Sequence, residues 1–71
     1  MGYALRYKNL SIRGAEVLVL TCTVYSTNDI GEKLGISAHT VSNHRASVML
    51  KTGSKNIIVL IAFAMHYGYL D

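Results

Sequence analysis

Apolar residues come in groups divided by short polar or glycine-bearing stretches, and nothing alternates with period two over a useful length. The dividers have the chemistry of helix ends. Ser11 is positioned to cap a first helix over about Ile12 to Thr23, with Leu10 where a hydrophobic staple residue sits. Val17, Leu18 and Leu20 supply its apolar surface, while Gly14 weakens it by about 1 kcal/mol against Ala. Ser26 with Asp29 three residues on predicts a capping box for a second helix, Thr27 to Leu34, which Gly35 ends. Ser37 predicts the start of a third helix, about Ala38 to Lys51, closed by Gly53. A fourth begins near Ser54 or Asn56 and ends at Gly68. The chain therefore reads as all-α, a four-helix bundle of one domain, about 10–71, preceded by an arm or linker remnant over 1–9.

The informative spacing lies in the middle. Only Gly35, Ile36 and Ser37 separate helices two and three, which forces a tight corner, a helix-turn-helix over about 27–46. Ile30, Leu34, Ile36 and Val41 are placed to fill the angle, and Gly31 leaves room for the close approach of the third helix. At helical spacing Val41, His44 and Val48 point inward. His39, Ser42, Asn43, Ala46 and Ser47 point outward, on a face that is polar, small and free of carboxylates.

Charge strengthens that reading. The net charge is +3, and no acidic residue occurs between Gly35 and Asp71, whereas Arg45, Lys51 and Lys55 do. A surface that enters a DNA groove cannot carry negative charge beside phosphates. Other chemistries find no residues. A single cysteine, Cys22, allows no internal disulfide and reads as a buried small hydrophobe. His39 and His44 are five residues apart and diverge by ~140° on a helix, so they cannot share a metal. His44 reads as a half-buried packing residue, and His39, near a helix start, reads equally as a phosphate contact or as a solvated residue. No acid accompanies a histidine at catalytic spacing, so no enzyme, cofactor or metal is expected. The longest apolar run, Ile57 to Met65, is far shorter than the ~20 residues of a membrane span. The expected location is the cytoplasm, at the nucleoid.

These residues resemble the LuxR-type (GerE-type) DNA-binding domain of bacterial transcription regulators. The likeness runs from Leu10 to Leu70. It is carried by Leu10-Ser11, Arg13, Glu16-Val17-Leu18, Leu20, Ser26, Ile30, Leu34, Ile36-Ser37, Thr40-Val41, His44, Lys51, Ala64 and Gly68-Tyr69-Leu70. Part of the string is shared with region 4 of sigma factors, but the inward His44 and the fourth helix favour the LuxR type. The resemblance implies a winged-helix-like domain without a wing, whose third helix reads the major groove of double-stranded DNA. It implies base contacts at Ser42, Asn43 and Ala46, and phosphate contacts at Thr27, Asn28, Thr40, Arg45 and Lys51. It also implies a sensor or receiver domain elsewhere in a longer parent chain. The sequence departs from the family at Gly14, where Glu is usual, at Val24, where Gly is usual, and at Gly31, where Ala is usual. Lys is common in the family at Ser42 and Ala46, both uncharged here.

The fourth helix is apolar nearly all round. Ile57, Leu60, Ile61 and Ala64 are expected to pack inward, which leaves Val59, Ala62, Phe63 and His66 as an exposed patch for a homodimer through about 55–67. A second reading makes this helix a docking face for another regulator, with weak DNA contact.

Overall fold

The computed structural model describes residues 10–70. Four helices follow one another, α1 (Ile12–Cys22), α2 (Thr27–Leu34), α3 (Ala38–Thr52) and α4 (Ile57–His66), and no strand occurs among the described residues. No single helix is long and apolar enough to cross a membrane. The expectations lying on residues 1–9 and Asp71 fall outside the described residues.

Each start is set by the side chain the sequence offers. The Ser11 hydroxyl accepts from the Gly14 amide at 2.9 Å, and the Asn56 side chain accepts from Val59 at 3.0 Å. Ser26 and Asp29 form the reciprocal box: the Asp29 amide donates to Ser26 Oγ and the Ser26 amide to Asp29 Oδ2. Such a cap contributes about 1 kcal/mol. The caps fix α4 at Asn56 rather than Ser54, while α3 runs one residue past Lys51 and α1 stops one short of Thr23.

Two apolar clusters share the work of packing. Val17, Ile30 and Val41 meet where α1, α2 and α3 converge, with Leu20, Leu34 and Ile36 around them. This cluster holds the corner and so sets the angle at which α3 is presented. Leu10, Ala15, Leu18, Val48, Leu60, Ala64 and Tyr69 join α1, α3 and α4 in the second. Gly35, at φ 70°, takes the left-handed turn that starts the corner. A Cβ on Gly31 would stand 2.6 Å from the Ile36 carbonyl oxygen. The room Gly31 leaves is thus for the turn itself, rather than for the body of α3.

Two expectations for α4 are corrected. Ile57 is 41% exposed and lies beside α3, not in the core. Phe63 is half-buried rather than outside: it packs on the second cluster, with its ring centroid 6.2 Å from Tyr69 and 4.6 Å from Tyr67. The cause is the fold-back after α4. Gly68, at φ 79°, turns the chain so that Tyr69 returns to the core and offers Phe63 an aromatic wall. Cys22 is half-buried at the edge of the same cluster, and its burial raises the thiol pKa.

Candidate nucleic-acid interface

The outward side of α3 is built by default. Val41 and Val48 are consumed by the core and His44 is half-buried, so the opposite residues must face solvent. His39, Ser42, Asn43 and Ala46 are all exposed, as expected, whereas Ser47 is half-buried. None of these side chains is large and charged, so the backbone of α3 can approach a groove floor closely. The N-cap of α3 also organises chemistry. Ser37 Oγ accepts from the Thr40 amide at 3.0 Å and donates to Thr40 Oγ1 at 2.9 Å. The Thr40 proton is then directed away from Ser37, where it can be donated to an anionic oxygen.

The second half of the surface is made between helices. Arg45 Nη1 donates to the Thr27 hydroxyl at 3.2 Å. This bond ties the middle of α3 to the first turn of α2, across 18 positions of sequence. It holds a half-buried guanidinium in place beside Thr27, and Asn28 stands exposed next to it. A guanidinium has five donors, and one bond to a hydroxyl leaves the planar fork for a phosphate. α2 carries two carboxylates: Asp29, which is turned onto the Ser26 amide, and Glu32, exposed one turn after Asn28. Glu16 lies on α1, 3.5 Å from Arg13. Lys51 is exposed near the C-terminal end of α3, where its charge also suits the helix dipole.

Arg45, Ser42, Ala46 and Met49 of α3, with Thr21 and Ile57, line a shallow cleft of about 260 Å³. The Thr21 hydroxyl is buried there without a hydrogen-bond partner. Sequence reasoning found neither Thr21 nor Ile57, because nothing local marks them. The predicted phosphate contacts Thr27 and Arg45 are brought together, and Asn28 and Thr40 stand at the starts of α2 and α3. No cluster of three metal-ligating side chains occurs among the described residues.

On α4 the exposed stripe is Ile58, Val59, Ala62, Met65 and His66. Ile58, 75% exposed, and Met65 were not anticipated; their spacing of four and three about Ala62 is the signal that could have found them.

A capped helix-turn-helix presenting an acid-free third helix beside a fixed arginine defines a DNA-binding domain. Comparison with known proteins agrees. Residues 8–64 match the family described as bacterial regulatory proteins, luxR family, and the chain belongs to that family. It is 37% identical over 65 residues to the oxygen regulatory protein NreC of Staphylococcus haemolyticus, and equally so to NreC of Staphylococcus aureus strains JH9 and JH1. Each alignment covers 92% of this chain and 30% of the relative, so the chain spans about a third of the length of these relatives. No solved structure gave a significant match.

Proposed function

We propose that this domain binds double-stranded DNA sequence-specifically as part of a transcription regulator, with α3 in the major groove. The observation that carries this reading is the exposed, carboxylate-free face His39–Ser42–Asn43–Ala46, flanked by the Arg45–Thr27 pair. Asn43 is the principal base reader, since an amide can bond adenine N6 and N7 together, with Ser42 and Ala46 beside it. Thr27, Asn28, His39, Thr40, Arg45 and Lys51 contact phosphates and fix the register. The unit is residues 10–71, its helix-turn-helix 27–46 and its pairing helix 55–67. Two copies join through α4 across Val59, Ala62 and His66, extended by Ile58 and Met65, with Phe63 supporting the face from its edge. Such pairing sets two α3 helices on one side of the duplex about one helical turn apart. A sensing or receiver domain belongs to a longer parent, and the complex works in the cytoplasm. The name of the relatives, oxygen regulatory protein, suggests the kind of control such a parent exerts.

The test is a salt titration of duplex binding by fluorescence anisotropy. Log K should fall with log salt at ~0.9 per phosphate contact, giving a slope of several units. A slope near zero would refute the reading and favour a purely protein-binding module, for which the exposed Ile58 and Met65 are the supporting observation.

A further inference from the structure

The most unusual residue on α3 is Leu50. It is 83% exposed, yet it stands on the helix face that is otherwise polar or small. Its place in the helix is specific. Asn43, Ala46, Ser47 and Leu50 are spaced 0, 3, 4 and 7, so they form one stripe along α3, with His39 one turn before it. The recognition helix of homeodomains, which lies along the major groove, offers its base-reading side chains at this same 0, 3, 4, 7 spacing. Over seven residues the helix rises ~10 Å, which is about three base-pair steps.

Bases differ in one apolar feature of the major groove, the C5-methyl of thymine, and alkyl side chains are what contact it. Leu50 cannot bond a phosphate, and it is not buried against the domain. Ala46 adds a second methyl surface on the same stripe. Polar Asn43 and apolar Ala46 and Leu50 thus give the face two kinds of readout, one by hydrogen bonds and one by shape and burial. Resting on the reading of α3 given above, we propose that Leu50, assisted by Ala46, reads thymine methyl groups. The half-site then carries a thymine about three base pairs from the base bonded by Asn43.

Deoxyuridine tests this directly, because it removes only the methyl and leaves every hydrogen-bonding group in place. A preferred duplex is selected from a random pool with the wild-type chain, and each thymine is then replaced singly by deoxyuridine. Burial of one methyl-sized group corresponds to roughly a fourfold change in affinity. The wild type should lose about that factor at one or two positions and be indifferent at the rest. Leu50→Ser should bind the thymine duplex as weakly as the wild type binds the deoxyuridine one, and should no longer distinguish the two at that position. Leu50→Met, which keeps an apolar tip, should retain the discrimination. Unchanged melting of Leu50→Ser, expected from the exposure of Leu50, excludes a folding effect. Equal wild-type affinity for every deoxyuridine duplex overturns the proposal while leaving DNA binding intact. So does a Leu50→Ser variant that keeps the discrimination, or that changes only the oligomeric state. Failure to bind any duplex would instead remove the reading of α3 on which it rests.

Discussion

α3 and α4 are packed in the same way and finished in opposite ways. Each buries a narrow stripe, Val41 and Val48 in one, Leu60 and Ala64 in the other. Outside, α3 shows His39, Ser42, Asn43 and Ala46, whereas α4 shows Ile58, Val59, Ala62, Met65 and His66. A buried stripe holds a helix in place with little regard to what the far side carries, so the far sides are free to answer to different partners. The α3 face offers polar side chains and few bulky groups, which suits a polar, charged, wet groove. The α4 face gains only by leaving water, which suits another apolar surface. Leu50 is the one place where α3 borrows the chemistry of α4.

The comparison breaks most completely if the shared foundation is removed. Leu60→Ala should destabilise the domain by about 2–5 kcal/mol, enough to unfold much of a chain this small, with both faces lost together. Thermal melting followed by circular dichroism reads this, and an α3 surface that still binds DNA without α4 would contradict it.

Placing one glutamate on each face in turn then sharpens the contrast. Asn43→Glu should weaken duplex binding on the order of a hundredfold, through a lost base contact and repulsion from phosphates, with the melting temperature nearly unchanged. Ile58→Glu should abolish pairing in sedimentation and lower affinity for a two-half-site duplex by about tenfold, while binding to a single half-site stays as before. Similar effects from the two substitutions would mean the faces are not specialised.

A smaller effect lies away from both faces. Val24 is the one described non-glycine residue at positive φ, 74°, and its side chain is 94% exposed. A β-branched residue pays strain there with no contact in return, so Val24→Gly should raise stability by about 1 kcal/mol without altering DNA affinity. Smallest is the pH response of Cys22. Burial raises its folded-state pKa above the ordinary thiol value of 9.0, so its neutral form is favoured in the fold. Its contribution is whole below that ordinary value and is lost as pH rises through the folded value. Wild type should therefore lose melting temperature relative to Cys22→Ala above about pH 9, and parallel curves would exclude the effect.

Much of the fold was legible because helix ends are written locally. Ser11, Ser26, Ser37, Gly35 and Gly53 each act within a few residues, and they placed α1, α2 and α3 to within one residue. The outward side of α3 was legible too, because Val41 and Val48 contrast with the polar residues opposite. On α4 that contrast is missing. Ile57 to Met65 is apolar throughout, so periodicity could not say which way the helix is rotated about its axis.

By itself, then, the sequence determined the all-α class, the caps, the tight corner at Gly35-Ile36-Ser37, the membership of a DNA-binding family and the charge asymmetry after Gly35. All of these are either short-range preferences or sums over composition. Tertiary structure alone decided that Arg45 meets Thr27 and that Gly31 makes room for the Ile36 carbonyl. It also decided that Ile57 turns to α3 and that Phe63 leans on Tyr69. Those outcomes depend on how rigid helices are rotated and crossed when two apolar clusters are filled at once, and no local run of residues encodes that geometry.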